Sequence, residues 1–459
     1  MYQLSGLVVL VNKAFLLSSL FVTTISINAS NNACNGGSTC SAADLTTKSP
    51  ATVSGKESFA PLEDGTAIHK TPWQVAEPNT LTSAKEAPLE TLSTNELLKR
   101  GADCVSNEYL EEAARIFREV VRRDPTNLPA RNNLAVVLKR QGLLEQAIEQ
   151  YTQALADNST KAELWNNLAC AYLAHGDFDK ALSGFYQALQ YKKNYPSASY
   201  NLGHVLYLRG DYAAAINAYQ EALRLQPNSA IFHRDLGDAL RAASDHEQAI
   251  AEYKAAQKYG EDTLVTKLRI ARAMKDSGQY EESNAVVKEI LAADPKNTEA
   301  LNIQGLNQWK LGQLPLAAGS LEKALDIDAD FAQARNNLGG VMYDMHRYEE
   351  AVAVWRQALA IKPDYAEVHY NMGTAMFQAG LYKQAFDALH ECIRLMPSDA
   401  MAHNNLGLTL LKLGHTEDAI VEWRKAIDLE PDLAQAHINL GKALMQERKR
   451  PAMDIHESG

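Results

Sequence analysis

The sequence predicts an all-α protein whose helices stack as a solenoid, and three observations predict it. One residue pattern returns every 34 residues, ten times in succession from Thr94 to Leu433, without an insertion. Inside each period, small and apolar residues fall at helical spacing in two stretches, with a glycine between them and a proline near the end. And no composition break divides the 459 residues into separate compact domains, so a repeat array is the natural way to fill the length.

The chain opens with MYQLSGLVVLVNK, AFLLSSLFVTTISI and NAS, which is a sparsely charged start ending in Lys13, an apolar core of secretory length and a small-residue exit near Ala29. Residues 1–29 therefore read as a signal peptide, or as an uncleaved signal anchor tethered to a membrane through residues 6–27 if Asn12 and Lys13 are tolerated there. Both alternatives place the protein outside the cytoplasm (periplasmic, secreted or luminal) or on a membrane. Asn31 stands where a lipoprotein signal ending at Cys34 needs an aliphatic residue. Residues 30–93 are rich in Ser, Thr, Ala and Pro, with Phe59 and Trp73 as their aromatics, and read as a disordered linker that cannot bury enough apolar area to offset ordering. Cys34 and Cys40 are close enough to pair in an exported chain, while Cys104 and Cys392 fall at helical positions expected in the core.

The repeats fill residues 94–433. With Thr94 as slot 1, slots 8 and 20 are small (Gly203 and Ala215, Gly237 and Ala249, Gly339 and Ala351), which allows two helices to approach closely. Glycine at slot 15 (Gly142, Gly210, Gly278, Gly380) ends the first helix by accepting positive φ. Proline at slot 32 (Pro125, Pro227, Pro295, Pro363, Pro397) stops the second. The aromatics Tyr151, Phe185, Tyr219, Tyr253, Trp355 and Trp423 at slot 24 are expected to fill the space between neighbouring repeats. Residues 434–448 supply one further first helix with His437, Leu440, Gly441 and Leu444 in register, a capping helix, and 449–459 form a polar tail. The sixth repeat carries Ser283 and Val287, and the seventh Gln304, Gln308 and Leu321, where the pattern has other residues. Those two repeats are expected to pack least well.

This pattern resembles the tetratricopeptide repeat family, with its W-x2-L-G-x2-Y, A-x3-F and P signature, seen in Trp165, Leu168, Ala169, Tyr172, Ala181 and Phe185 of the third repeat. The resemblance implies antiparallel helix pairs in a right-handed superhelix whose concave wall is built from the first helices. Slots 2, 5, 6, 9, 12 and 13 would then face inward. Slot 6 reads Asn133, Asn167, Asn201, Asn337, Asn371, Asn405 and Asn439, with Asp235 as a relative and Arg269 and Ile303 as interruptions. A primary amide offers both donors and an acceptor, so such a ladder suits binding of an extended peptide by its backbone. A similar ladder in the repeat domains of O-GlcNAc transferases holds substrate peptides in that way. The other reading is structural: asparagine at slot 6 bonding adjacent helices and ordering the stack.

The gap in the ladder is charged. Arg234, Arg241, Arg269, Arg272 and Lys275 lie on the inward slots with Asp235, Asp238 and Asp276 among them, and read either as a solvated ion-pair network or as a seat for an acidic stretch of partner. The carboxylate clamp of chaperone-binding members, placed on repeats four to six, meets Tyr200, His204, Asp235, Val265 and Arg269, of which Arg269 alone fits.

A formal net charge of -11 argues against a general nucleic-acid binder. No phosphate-binding loop, nucleophile elbow or zinc-protease motif occurs, and His233, His369, His403 and His437 at slot 4 are better explained by packing than by a metal. The expectation is a non-catalytic scaffold without cofactor or metal, binding other proteins or peptides in the groove. Two alternatives stay open: an assembly factor or chaperone for a membrane or envelope complex, and the substrate-recognition subunit of a separate glycosyltransferase.

Overall fold

The computed structural model describes residues 88–449, so the expectations for residues 1–87 and for the tail beyond Lys449 lie outside the described residues. Among the described residues the fold is all-α. Each 34-residue repeat forms one antiparallel helix pair, and every first helix carries an odd number here: α1 (Thr94–Ser106) with α2 (Leu110–Arg123), α3 (Leu128–Arg140) with α4 (Leu144–Asp157), and α5 (Ala162–His175) with α6 (Phe178–Tyr191). Then come α7 (Pro196–Leu208) with α8 (Tyr212–Leu225), α9 (Ala230–Ala242) with α10 (His246–Lys258), α11 (Leu264–Asp276) with α12 (Tyr280–Ala293), and α13 (Thr298–Lys310) with α14 (Leu314–Ile327). The last are α15 (Ala332–Asp344) with α16 (Tyr348–Ile361), α17 (Ala366–Gln378) with α18 (Tyr382–Leu395), α19 (Ala400–Leu413) with α20 (Thr416–Leu429), and the unpaired α21 (Ala434–Lys449). The helices group into two compact bodies, one ending at Thr266 and one beginning at Lys267.

Local chemistry sets the boundaries. In the N-terminal body Ser93 caps α1 through a reciprocal pair with Glu96, and the Asn127, Asp177, Asp211 and Asp245 side chains accept from the exposed amides of α3, α6, α8 and α10. The stretch read as linker does not run to Ser93. Leu89–Thr91 form a 3-10 turn, Leu89 and Leu92 pack on the core, and Arg123 donates to the Leu92 and Leu89 carbonyls at 2.6 Å each. Two leucines and a guanidinium two helices away supply what the Ser/Thr-rich composition concealed.

Slot 15 shows how strictly the period dictates the backbone. Gly142, Gly176 and Gly210 sit at positive φ, and so do Glu108 and Ser244, the residues that fill the slot in repeats one and five, both at 65°. In the C-terminal body His346 does the same at 61°. A non-glycine residue there carries strain of about 1–2 kcal/mol, which the surrounding helix pair tolerates.

Where slot 8 is glycine, the slot 24 side chain sits over it within the same repeat. A Cβ on Gly101 would stand 2.6 Å from Phe117, one on Gly203 2.8 Å from Tyr219, one on Gly237 2.6 Å from Tyr253, and one on Gly407 2.6 Å from Trp423. Slot 8 is small because the aromatic two helical faces away needs the volume. The rings are buried, and each contributes about 1.5–3 kcal/mol relative to exposure. Cys392 and Cys170 are core residues as well, with burial pushing the Cys392 thiol up to about 12, whereas Cys104 is half-buried at the edge of the core.

In the C-terminal body the departures of repeats six and seven are filled by a polar substitute for the usual packing. Ser283 and Val287 are fully buried; the Ser283 hydroxyl donates to the Ala271 carbonyl at 2.8 Å, and Asn307 donates to Ser283 at 2.8 Å and to Asn284 at 3.0 Å. Ser320 reaches Gln308 at 2.7 Å in the same way.

Candidate functional site

The slot 6 asparagines do not stand free on the first-helix face. In the N-terminal body Asn167 donates its Nδ2 to Asn132 Oδ1 at 3.1 Å, and Asn201 donates to Asn166 Oδ1 at 3.1 Å and toward the Cys170 Sγ at 3.4 Å. Within each helix the slot 5 amide turns to its neighbour, Asn132 to Asn133 and Asn166 to Asn167, both at the long distance of 3.4 Å. The chain of amides ends at Asn201: slot 5 of α7 is Tyr200, whose hydroxyl donates to Asp235 Oδ2 at 2.5 Å, and the Asn201 Oδ1 is buried without a partner among the described residues. Burial and the Asp235 carboxylate hold the Tyr200 phenol well above its ordinary pKa.

The C-terminal body repeats the device. Asn337 donates to Asn302 at 2.8 Å, Asn371 to Asn336 at 3.1 Å, Asn439 to Asn404 at 3.0 Å, and Asn405 to the Tyr370 hydroxyl at 3.0 Å. Asn133, Asn167, Asn201, Asn337 and Asn439 are buried, while Asn371 and Asn405 are half-buried. Sequence reasoning assigned slot 6 and missed its acceptor, slot 5 of the preceding repeat. The signal was present in the doubled asparagines, of which the first was left without a task.

A second set of bonds was also missed. Slot 4 donates to the carbonyl at slot 32 of the preceding repeat: Arg131 to Pro125 at 2.6 Å, Trp165 to Ser159 at 2.7 Å, and His233 to Pro227 at 2.9 Å in the N-terminal body. In the C-terminal body Arg335 reaches Ala329 at 2.7 Å, His369 reaches Pro363 at 3.0 Å, His403 reaches Pro397 at 3.1 Å, and His437 reaches Pro431 at 2.8 Å. These N–H groups satisfy carbonyls in the turn that follows the second helix of those repeats. The histidines are thus donors to those turns, and two of them also meet a carboxylate, His233 with Glu252 at 2.5 Å and His403 with Glu422 at 2.6 Å.

The cations of the ladder's gap are engaged within their own bodies. Arg234 pairs with Asp235 at 2.6 Å and Glu261 at 2.7 Å, and Arg241 acts on Tyr253. Beyond Lys267, Arg272 pairs with Glu299 at 2.5 Å and Lys275 with Asp276 at 2.5 Å, and Arg269 is partnered too. The geometry is that of an ion-pair network.

Among the described residues no cluster of histidine, cysteine and acidic side chains could hold a metal ion, and no helix is long and apolar enough to cross a membrane. Helix pairs stacked in register, with their second helices packed behind a polar ladder, define a helical-repeat scaffold of the kind that presents extended binding surfaces. Family models described as "TPR repeat" match residues 203–242, 341–380 and 410–447, and "Tetratricopeptide repeat" matches residues 105–159, 132–199 and 268–332, together more than half of the chain. The chain belongs to the tetratricopeptide repeat family, whose members generally bind other proteins.

Solved structures similar to it include the APC/C heterotetramer Cut9–Hcn1, at 14% identity over 77% of this chain and 96% of that one with a TM-score of 0.43. YrrB, a TPR protein with an unusual peptide-binding site, matches at 21% identity over 41% and 96% of the two chains with a TM-score of 0.38. Pseudomonas aeruginosa PilF matches at 22% over 46% and 96%, with a TM-score of 0.41. No curated protein matches the chain.

Proposed function

We propose that the protein is a non-catalytic scaffold that binds extended segments of other proteins along the face of its first helices. The observation that carries this reading is the contrast between slots inside one chain. Slots 8 and 20 repeat nearly the same small residues, whereas slot 9, where it is partly exposed, reads His204 and Asp238 in one body and Arg272, Leu306, Thr374 and Leu408 in the other. The amide ladder fixes consecutive first helices in register, and side chains that differ from repeat to repeat are displayed on that fixed frame. A surface of that kind suits recognition of a particular partner segment.

Direct contact with a peptide backbone falls, in this reading, to Asn371 and Asn405, the half-buried members of the ladder: Asn371 has a second amide hydrogen to donate, and Asn405, whose amide donates to Tyr370 and Thr374, offers the second lone pair of its carbonyl oxygen. Asn167, Asn201, Asn337 and Asn439 keep the frame in register. A photo-crosslinking residue at Phe377 and another at Val421, on the exposed side of α20, test the face: peptide captured from Val421 and not from Phe377 overturns the assignment. Titration of captured peptides against Asn371→Ala and Asn405→Ala tests the backbone contact, with weaker binding at an unchanged melting temperature expected.

Export or membrane attachment is a separate proposal resting on residues 1–29. A mature N-terminus near Ser30 marks a cleaved signal peptide, an intact Met1 in the membrane fraction marks an anchor, and a full-length soluble cytosolic chain refutes both.

A further inference from the structure

In the C-terminal body slot 12 is apolar in five consecutive first helices: Trp309, Tyr343, Phe377, Leu411 and Met445. The first four are half-buried and Met445 is 67% exposed. They belong to one surface. Trp309 lies against Gly340 of the next first helix, leaving no room there for a Cβ, and its indole N–H donates to Asp344 at 2.6 Å, so slot 12 of one repeat borders slots 9 and 13 of the next. By the same register Leu411 on α19 borders Lys442 on α21. Lys412 and Lys442 are exposed and have no ion-pair partner among the described residues, so the stripe ends beside two cations.

The ladder bonds of about 3 Å between consecutive first helices make those helices direct neighbours, and packed helices lie about 8–10 Å apart. A polyproline II chain rises about 3.1 Å per residue and returns a side chain to the same face every third residue, whereas an extended strand alternates faces and would turn every other such side chain away. Three residues of polyproline II advance by about 9 Å, one repeat of this surface. Two residues fall short by about 3 Å, and four overshoot by a similar distance.

We propose that the C-terminal body takes a polyproline II segment of a partner protein carrying an apolar side chain at every third position and acidic residues at the end that reaches α19 and α21. This rests on the scaffold reading above and adds the spacing and charge of the segment. Each apolar side chain seats against one slot 12 residue, and the acidic end meets Lys412 and Lys442.

The test uses the full chain and two fluorescein-labelled peptides of identical composition. Both contain five leucines in a Ser/Pro background and finish in Asp-Asp; the leucines fall at positions 1, 4, 7, 10 and 13 in one and at 1, 3, 5, 7 and 9 in the other. The every-third peptide is expected to bind at least tenfold tighter. That advantage should vanish in a Phe377→Ser, Leu411→Ser chain and survive in a Val421→Ser chain, with circular dichroism confirming that both remain helical. Lys412→Glu with Lys442→Glu should weaken the every-third peptide severalfold and leave a version ending in Ser-Ser unaffected. Equal affinity for the two spacings overturns the spacing while the scaffold reading stands. Binding of neither, when peptides captured from Phe377 do bind, overturns this inference alone. Binding of neither with no peptide captured from Phe377 overturns both.

Discussion

Asn167→Ala and Asn201→Ala change the same slot in consecutive repeats, yet they should differ sharply in cost. Both side chains are almost fully buried, at 4% and 2% exposure, and both donate to an Oδ1 on the preceding first helix at 3.1 Å. Removing Asn167 takes that donor from Asn132 Oδ1 and also takes the acceptor that Asn166 meets at 3.4 Å. A stranded buried acceptor costs about 1–3 kcal/mol, and the long second bond adds less. The better helix propensity of alanine offsets about 0.5 kcal/mol. The expected net loss is about 1–3 kcal/mol.

Removing Asn201 also strands an acceptor, Asn166 Oδ1, but it deletes an atom that was already stranded, the buried Asn201 Oδ1. That relief is of the same size, about 1–3 kcal/mol, so the net effect should lie near zero. The voids left by the two truncations are alike and cancel in the comparison. Urea denaturation followed by circular dichroism reads the difference as a shift in midpoint at constant slope. Equal losses in the two variants, or a larger loss for Asn201→Ala, would refute the account of the ladder as a chain of amides that runs out at α7.

Three further outcomes are expected. Burial works against charge on His233, but Glu252 and the Pro227 carbonyl hold its pKa above the ordinary value; its contribution is therefore complete below the unfolded value of about 6.5 and lost as pH rises through the folded one. The melting-temperature gap between the parent and His233→Gln should be widest near pH 5 and close toward alkaline pH, and a gap that widens with pH would contradict the staple. Ser244→Gly should stabilise by about 0.5–1 kcal/mol by relieving positive φ, while Gly176→Ala, with no neighbour within 4 Å of its new Cβ, should cost about 1–2 kcal/mol from the backbone alone; thermal melts decide both. Ser283→Ala should cost less in an Asn307→Val background, where only its bond to the Ala271 carbonyl remains, than in the parent, where each lost bond costs about 0.5–1.5 kcal/mol, so a double-mutant cycle with no coupling would dissolve the proposed compensation.

The helix pairs were legible because their determinants are local and periodic. A glycine at slot 15, a proline at slot 32 and small residues at slots 8 and 20 act within one repeat; that Glu108, Ser244 and His346 adopt the same positive φ at slot 15 came only with the structure. The partner of slot 8 was harder to read. Gly339 faces Trp355 in its own repeat, and nothing in a list of aromatics distinguishes that from a contact with the repeat beside it. The slot 4 donors were hidden for another reason. Arg131, Trp165 and His233 share no size, charge or hydropathy, only an N–H at the right reach, so a search for one residue type misses what three do alike.

The asparagine ladder was half legible, and the missing half explains its gaps. Each bond spans 35 residues, one more than the period, because slot 6 answers to slot 5 of the repeat before it. Read in those pairs, the changes along the chain go together. Where slot 5 is asparagine, as at Asn132, Asn166, Asn302, Asn336 and Asn404, slot 6 of the next repeat is asparagine. Where slot 5 is Tyr200, a hydroxyl donor meets Asp235, a carboxylate that can only accept; where it is Tyr370, the hydroxyl accepts from Asn405. And where slot 5 is Leu268, slot 6 is Ile303, both buried and neither needing a partner. Ile303 is therefore no interruption of a ligand-facing row. It is the apolar form of one inter-repeat contact, and two positions fall outside the pairing: Asn133, set after Leu98 and bonded by Asn132 on its own helix, and Arg269, set after Arg234. A weak helix former recurs in mid-helix because an amide can both donate to the repeat before and accept from its neighbour, and at Ile303, set after Leu268, an apolar side chain takes its place.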